Sequence, residues 1–303
     1  MKRLVLIDGH AILHRAYHAF PKNLKTRRGE LVNAVYGFTR MLLTVLQNLK
    51  PNYVAVAFDL PKPTFRHKEF IGYQAQRPKM ETELAGQIER VQEVVEALNI
   101  PIFAVEGFEA DDIIGTLAKQ AARKKIEAII VTGDQDIMQL VNRWVKVYAP
   151  IRGFSQAKLF DQKRVERLLG IKPKQIVDYK ALVGDSSDNY PGVPGIGPKT
   201  AVKLLRRFQD LDTIINNSDK IRPVVAKKLV EGFESARLSR KLARIVTNVP
   251  IKLSLRACRL HDYDQEKARQ LFEELEFKSL INKLPGFKKE EKKAKESQQM
   301  RLI

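Results

Sequence analysis

The sequence predicts an α/β protein in which a mostly parallel β-sheet is flanked by helices and is followed by a helical subdomain. Apolar runs rich in Val and Ile, typical of buried strands, occur at residues 3–8, 53–59, 100–107 and 126–134. Amphipathic helical patterns lie between them, the longest at 34–49 and 82–98. Buried strands that alternate with helices indicate a parallel sheet.

The remaining segments set the expected domain organisation. The run WVKVYAP at 144–150 predicts an edge strand, which closes a core of residues 1–160. Short helical patterns follow and predict a helical subdomain over 161–285. The last segment, 286–303, is basic and poor in apolar residues, and we expect a solvated or disordered tail.

The charge of the chain favours a polyanionic partner. Of the 303 residues, 54 are Lys or Arg and 35 are Asp or Glu, which gives a formal charge of +19 spread over the whole length. Nucleic acid is the leading candidate, and the alternative is a basic protein without such a partner. Cys258 is the only cysteine, which excludes an intrachain disulfide and a cysteine-based zinc site. No run approaches the roughly 18 apolar residues of a membrane span, so we expect a cytoplasmic protein without membrane contact.

Acidic residues end three of the predicted strands. LVLID, VAVAFD and IIVTGD end in Asp8, Asp59 and Asp134, and Asp136 follows two residues later. The carboxyl ends of parallel strands lie along one edge of a sheet, which is where ligands bind in open α/β folds. These four side chains are therefore expected to converge at that edge.

The segment FEADD begins the helix after the 100–107 strand, and it brings Glu109, Asp111 and Asp112 towards the same edge. One explanation is the helix dipole, which favours acids in a first turn. However, two carboxylates about 4 Å apart repel each other by about 4 kcal/mol at an effective dielectric of about 20, and only cations offset several such repulsions. An all-oxygen cluster suits hard ions such as Mg²⁺ or Mn²⁺, and we expect that such ions meet phosphate there.

Three histidines and a second acidic pair lie outside this set. His10, His14 and His18 have i, i+4 spacing on a predicted helix and are interpreted as packing or substrate contacts. Asp185 and Asp188 stand three residues apart in a predicted loop or turn.

The segment PGIGPKTA follows that pair and predicts a helix–hairpin–helix motif for binding the backbone of duplex nucleic acid. A P-loop is excluded, because Pro198 separates Gly197 from Lys199 and no apolar strand precedes the motif. Gly195 and Gly197 allow close approach of backbone N–H groups to phosphate, and Lys199 and Thr200 lie at the start of the following helix. Ile196 is expected to anchor the turn in the core. The alternative is an ordinary helical turn.

The motifs LIDGH, AFD, FEADD, TGDQD, GDSSDN and PGIGPKTA, in this order, resemble those of the structure-specific 5′ nucleases, which include the flap endonucleases. The resemblance is closest to the N-terminal 5′–3′ exonuclease domain of bacterial DNA polymerase I. It runs from residue 3 to about residue 284. It implies a PIN-like nuclease core, a helical arch and a helix–hairpin–helix of the H3TH type.

The resemblance also implies a cofactor set and a set of site residues. Two Mg²⁺ or Mn²⁺ ions are expected, with a K⁺ ion at the hairpin loop. The implied metal carboxylates are Asp8, Asp59, Glu109, Asp111, Asp112, Asp134, Asp136, Asp185 and Asp188. Of these, Asp112, Asp185 and Asp188 are expected to tune or hold the second ion through water, and the other six to matter most for catalysis, together with Arg77.

The implied activity is metal-dependent hydrolysis of DNA at 5′ flaps, nicks and 5′ ends, in exonuclease and endonuclease modes, leaving 5′-phosphates. The implied role is flap and RNA primer removal in replication and repair, by a monomer associated with the bacterial nucleoid. Two alternatives remain open. One is a related nuclease that cuts RNA, and the other is a DNA-binding accessory protein with weak or no catalysis.

The arch is expected at about 64–98, where basic and aromatic residues interleave. Arg66, Lys68, Arg77 and Lys79 would meet phosphates of a single strand, and Tyr73 and its aromatic neighbours would stack on bases. The family pattern Tyr-Lys-x-x-Arg reads here Tyr73-Gln74-Ala75-Gln76-Arg77. Gln74 thus replaces the lysine that contacts the scissile phosphate, and a reduced rate is expected.

The chain ends without the polymerase region of the larger relatives, so we expect a stand-alone nuclease or a fragment. Its last residues resemble the peptide that binds the bacterial sliding clamp, with Gln299, Met300, Leu302 and Ile303 as the contacting side chains. The alternative is a tail without this function.

Overall fold

The computed structural model describes residues 1–150, 157–260 and 263–286. Its six-stranded sheet has the order β3-β2-β1-β4-β5-β6. The strands are β1 (Arg3–Asp8), β2 (Tyr53–Ala57), β3 (Ile102–Phe103), β4 (Glu127–Val131), β5 (Val145–Pro150) and β6 (Ala157–Phe160). The first five strands are parallel, and β6 pairs antiparallel with β5.

The prediction of an edge strand at 144–150 is wrong, because β6 lies outside β5. The four residues of β6, AKLF, are too few to show a strand pattern in the sequence. The predicted mostly parallel α/β sheet is confirmed.

Helices cover both faces of the sheet. They are α1 (Gly9–Ala19), α2 (Asn33–Leu49), α3 (Phe65–Glu69), α4 (Thr82–Ala85), α5 (Ile88–Ala97), α6 (Ala110–Arg123), α7 (Gln162–Leu169), α8 (Ile176–Val183), α9 (Pro198–Phe208), α10 (Leu211–Asn216), α11 (Pro223–Glu231), α12 (Phe233–Ala243), α13 (Gln265–Glu274) and α14 (Lys278–Ile281). No helix of the described ranges is long and apolar enough to span a membrane.

The helix expected at 82–98 is two helices, α4 and α5, with Gly86 and Gln87 between them. The break places the buried Gln87 side chain at the start of α2, where its Oε1 accepts the Ala34 N–H at 2.9 Å. Gln87 therefore satisfies one of the backbone donors that every helix leaves unpaired at its first turn. Because α5 packs in the core, only the first part of the segment 64–98 is free to form an arch.

Alternating residues of the strands face two hydrophobic clusters. Leu4 and Leu6 of β1 pack with α6 on one face, and Val5 and Ile7 pack with α1, α2 and α5 on the other. Burial on both faces explains why these strands read as continuous apolar runs.

The helical region shares a core with the sheet. The cluster beneath α6 continues without interruption into α7, α8 and α9, through Val165, Ile176 and Leu205. After α12 the chain returns to the sheet, where Val54 N–H donates to the Cys258 carbonyl at 2.7 Å. Helix α13 then packs against α5, so the end of the segment 161–285 lies against the α/β layer.

Candidate active site

Three aspartates lie at the carboxyl ends of neighbouring parallel strands, as the strand pattern predicts. Asp8 ends β1, Asp59 follows β2 by two residues, and Asp134 follows β4 by three. Asp8 is fixed by the Thr132 hydroxyl, which donates to Oδ2 at 2.8 Å, and by the Ala11 N–H, which donates to Oδ1 at 2.9 Å.

Helix α6 brings two more carboxyl groups to this edge. The Ala110 N–H at its first turn donates to Asp59 Oδ1 at 2.8 Å, which ties the helix to the end of β2. Burial raises the pKa of Asp111 well above its ordinary value, and repulsion by Asp134, Asp8, Asp59 and Glu109 raises it further. We call these five residues the edge cluster: Asp8, Asp59, Glu109, Asp111 and Asp134.

The edge cluster is strongly anionic and only partly compensated. Burial, and then repulsion by Asp59 and Asp134, raises the pKa of Asp8 to about 7, although hydrogen bonds to Ala11 and Thr132 oppose the shift. Burial likewise raises the pKa of Glu109 to about 7, against the effect of Arg66. Because the carboxylates disfavour one another's ionised form, the cluster favours cations.

The second acidic group lies beside the edge cluster, and we call Asp136, Asp185 and Asp188 the loop cluster. One carboxylate oxygen from each of the three lies within 4.8 Å of the others, which is close enough to hold a metal ion. Burial and Asp134 raise the pKa of Asp136 to about 6, which links the two clusters electrostatically.

Lys180 on α8 pairs with two members of the loop cluster. Its ammonium lies 2.7 Å from Asp136 Oδ1 and also donates to Asp185. Burial lowers the pKa of Lys180, but the two carboxylates outweigh this and raise it overall. Sequence reasoning missed this residue, because nothing in its spacing marks a lysine five positions before Asp185 as part of the site.

Asp112 is placed differently from the other predicted metal ligands. It is fully buried, and both of its oxygens accept from the Arg66 guanidinium, at 2.7 and 2.9 Å. It also accepts the Val246 N–H at 2.8 Å and the Glu109 N–H at 3.2 Å. Both oxygens of Asp112 are thus engaged within the protein, and its expected role toward the second ion stays a prediction.

Arg66 is correspondingly not an exposed phosphate contact. Its side chain is 3% exposed, and it also donates to the carbonyls of Leu242 and Arg244, each at 2.9 Å. The guanidinium thus connects α3, the start of α6 and the end of α12. All these donors are used within the protein, so the structure shows no free donor of Arg66 for the predicted DNA contact.

Tyr73 and Gln74 lie between the two clusters. The Tyr73 hydroxyl is 3.2 Å from Glu109 Oε2 and 3.3 Å from Asp188 Oδ2, and its ring is buried rather than free to stack on a base. The Gln74 amide donates to Asp188 Oδ1 at 3.1 Å. The position at which the resemblance implies a lysine therefore faces a carboxylate of the site.

The other arch cations are exposed. Lys68, Arg77 and Lys79 present their side chains to solvent. Arg77 acts electrostatically on Asp188 and on His10, so it lies within range of both sides of the site.

The structure supports the packing interpretation for one of the three histidines of α1. The Asp59 N–H donates to His10 Nδ1 at 3.1 Å, so His10 supports the end of β2. His14 and His18 are exposed, with their Nε2 atoms 3.4 Å apart.

The predicted hairpin lies between α8 and α9. Gly195 has a φ of +77°, a backbone conformation that favours glycine, and Ile196 is 4% exposed and anchors the turn in the core as expected. Gly197 precedes the first turn of α9, Lys199 is exposed, and Thr200 is half-buried. The Lys228 ammonium donates to the Gly195 carbonyl at 3.2 Å. The predicted clamp-binding residues, Gln299, Met300, Leu302 and Ile303, lie outside the described residues.

The residues present fit divalent metal ions. Their donor atoms are all carboxylate oxygens, the ligands preferred by Mg²⁺ and Mn²⁺. Burial, and then the charges of the three loop-cluster carboxyl groups, raise the pKa of Tyr190, whose hydroxyl is buried without a hydrogen-bond partner in the described part of the chain. Hydrolysis of phosphodiesters is the chemistry that such an acidic edge supports, which places the chain among the nucleases.

Comparison with known proteins gives the same class. The chain matches the family model of the 5′–3′ exonuclease N-terminal resolvase-like domain over residues 3–170. It matches the 5′–3′ exonuclease C-terminal SAM fold over residues 171–266. The chain belongs to the 5′–3′ exonuclease family, and the predicted resemblance is confirmed.

Relatives by sequence include two DNA polymerases I. That of Chloroflexus aurantiacus is 46% identical over 290 residues, covering 93% of this chain and 31% of the relative. That of Bacillus caldotenax is 42% identical over 293 residues, covering 96% of this chain and 33% of the relative. The chain thus spans about one third of the length of these relatives.

Solved structures share the fold. The flap endonuclease of bacteriophage T5, in a pseudo-enzyme–product complex with DNA and metal ions, has a TM-score of 0.68 at 19% identity and covers 91% of this chain and 100% of its own. The catalytic core of Rad2 in complex with DNA substrate has a TM-score of 0.60 at 18% identity and covers 93% of this chain and 92% of its own.

Proposed function

We propose that this chain is a divalent-metal-dependent 5′–3′ exonuclease and structure-specific 5′-flap endonuclease that hydrolyses DNA and leaves 5′-phosphates. The observation that carries the proposal is the edge cluster, in which carboxylates from four separate segments repel one another at the carboxyl edge of a parallel sheet. Flap and primer removal in replication and repair is the role that suits such an activity. DNA-bound and metal-bound structures of the same fold support it.

In this proposal, each of the two acidic clusters holds one divalent ion. The edge cluster would hold one Mg²⁺ or Mn²⁺ ion and the loop cluster a second. When bound, such ions supply electrostatic stabilisation of phosphate and lower the pKa of bound water. Thr132 holds Asp8 in place, and His10 holds the end of β2. Arg77 is an exposed cation near the site.

The hairpin and the arch would position the substrate. The exposed start of α9 presents backbone N–H groups and Lys199 to the phosphates of a duplex. We also propose that this turn binds a K⁺ ion. To reach the Gly195 carbonyl, the ion would displace the Lys228 ammonium that now donates to it. Lys68, Arg77 and Lys79 would contact a single-stranded 5′ end.

The deciding experiment uses a labelled 5′-flap duplex with Mg²⁺ or with EDTA. We expect cleavage near the junction only with Mg²⁺, leaving a 5′-phosphate on the product. Binding without cleavage would favour a non-catalytic accessory protein. Preferential cutting of a matched RNA flap would favour the RNA-directed alternative.

Replacing Gln74 with lysine is expected to raise the single-turnover rate on the same flap by about 10- to 100-fold, since an ammonium would then face developing phosphate charge. The Gln74 amide already donates to Asp188 of the loop cluster, so a lysine at this position would lie beside the proposed metal site. Quench-flow measurements at saturating Mg²⁺ would determine the rate.

The matched control is Gln76→Lys, which adds the same charge at an exposed position of the same turn. We expect little change in the control. Equal acceleration in both variants would show a general charge effect, and an unchanged or slower Gln74→Lys variant would contradict the assignment of this position.

A further inference from the structure

His14 and His18 form an exposed pair on α1, outside both acidic clusters. They stand four residues apart, so their side chains leave the same face of the helix. Their Nε2 atoms lie 3.4 Å apart, and the two ring centroids are 4.5 Å apart with an angle of 61° between the ring planes. Two imidazole nitrogens therefore lie side by side at the protein surface, where an ion from solvent can reach them.

The distance between the two nitrogens is long for a hydrogen bond and fits shared coordination of a metal ion. Good hydrogen bonds of N–H donors span about 2.7 to 3.2 Å. Zinc binds imidazole nitrogen at about 2.0 to 2.1 Å with tetrahedral geometry, which places two such nitrogens about 3.4 Å apart. The observed separation of 3.4 Å equals that value. Two histidines at i and i+4 on one helix face are also the spacing of a known class of zinc sites.

The protonation state of His14 favours metal binding as well. Partial burial lowers the pKa of His14 below its ordinary value of 6.5, His18 and Arg77 lower it further, and Glu81 opposes them. The ring is therefore mostly neutral at neutral pH, and the neutral imidazole is the form that binds a metal. The carboxylate of Glu81 lies within electrostatic range of both histidines, so it would attract a cation to the pair.

The ligand type distinguishes this pair from the acidic clusters. Imidazole suits Zn²⁺, Ni²⁺ and Cu²⁺, whereas carboxylates and water suit Mg²⁺ and Mn²⁺. Within the described ranges, no third His, Cys, Asp or Glu donor atom lies within 4.8 Å of both nitrogens. Water would complete the coordination of an ion held by the pair, so such an ion would exchange with solvent.

We propose that His14 and His18 form a binding site for a transition-metal ion of the Zn²⁺, Ni²⁺ and Cu²⁺ class, with Nε2 of each ring as a ligand. The site is separate from the two acidic clusters. The inference does not rest on the proposed function, because it requires neither Mg²⁺ binding nor cleavage of DNA.

The test is a Zn²⁺ titration of the full chain by isothermal titration calorimetry, in excess Mg²⁺ that competes for the carboxylates. The wild type should bind one Zn²⁺ ion that His18→Ala binds at least about 100-fold more weakly, because two linked ligands bind far more tightly than one. Nitrogen-15 NMR of labelled histidine rings should show the Nε2 signals of His14 and His18 shifting together up to one equivalent of Zn²⁺, while the signals of His10 stay in place.

The matched control is the double variant of His18→Ala with Ala19→His, which keeps the number of histidines and removes the i, i+4 spacing. It should bind Zn²⁺ as weakly as His18→Ala does. Both positions are exposed, so all variants should melt at the wild-type temperature in EDTA. Equal Zn²⁺ binding by the wild type and both variants would locate the ion elsewhere in the chain, and the inference would be wrong. A shift of only one histidine signal, or of neither, would also overturn it.

Discussion

Replacing Asp111 with asparagine is expected to reduce flap cleavage by at least about 100-fold and, at the same time, to raise the melting temperature of the metal-free protein. Asp111 is the member of the edge cluster on which burial and four neighbouring carboxyl groups all act in the same direction. Asparagine keeps the shape of the side chain and removes its negative charge. It therefore relieves the repulsion among the edge-cluster carboxylates, but it also removes one of the charges that attract cations. Differential scanning fluorimetry in EDTA and single-turnover cleavage in Mg²⁺ measure the two effects.

The pH dependence of that stability gain has a defined sign. When the pKa of an aspartate is raised in the folded state, the protein loses stability as the pH rises from the ordinary pKa of 3.8 towards the pKa in the folded state. The advantage of Asp111→Asn in EDTA should therefore be absent near pH 4 and grow towards neutral pH. Mg²⁺ should stabilise the wild type more than the variant. A variant that melts lower in EDTA, or cleaves at the wild-type rate, would contradict the assignment of Asp111 to the anionic cluster.

Replacing Arg66 with methionine is expected to destabilise the protein by about 3 to 5 kcal/mol, because it leaves the charge of Asp112 buried and unpaired. The variant also loses the bonds to the Leu242 and Arg244 carbonyls. Urea denaturation followed by circular dichroism would measure the loss. Arg66→Lys should fall between wild type and methionine, since an ammonium cannot reproduce the bidentate pairing.

A double variant distinguishes a structural role of Arg66 from a role in substrate binding. Adding Asp112→Asn to Arg66→Met should restore part of the lost stability, because the stranded charge is removed. If Arg66 instead acted as a surface contact for DNA, Arg66→Met would unfold at the wild-type urea concentration and only weaken substrate binding.

The convergence of Asp8, Asp59 and Asp134 could be predicted because it follows from strand geometry alone. Each follows a run of apolar residues, and parallel pairing leaves little freedom in where the ends of such runs lie. The hairpin glycines could be predicted for a similar reason, since a local turn determines their conformation.

The role of Asp112 could not be predicted, because its partner comes from a distant part of the chain. Glu109 and Asp112 share a helix face by spacing, and the sequence assigns both to metal binding. Arg66, 46 residues earlier in α3, contacts both, but it engages both oxygens of Asp112 and only one of Glu109. Lys180 went unrecognised for the same reason, since only tertiary packing places this helix lysine beside Asp136.

The uninterrupted hydrophobic cluster that runs from the sheet into α7, α8 and α9 has a consequence for the proposed cleavage. Because the proposed duplex contact at the hairpin and the acidic site are built on one common core, the distance between them is fixed. We therefore expect the proposed cleavage site to keep a constant number of base pairs from the junction, whatever the length of the unpaired 5′ arm.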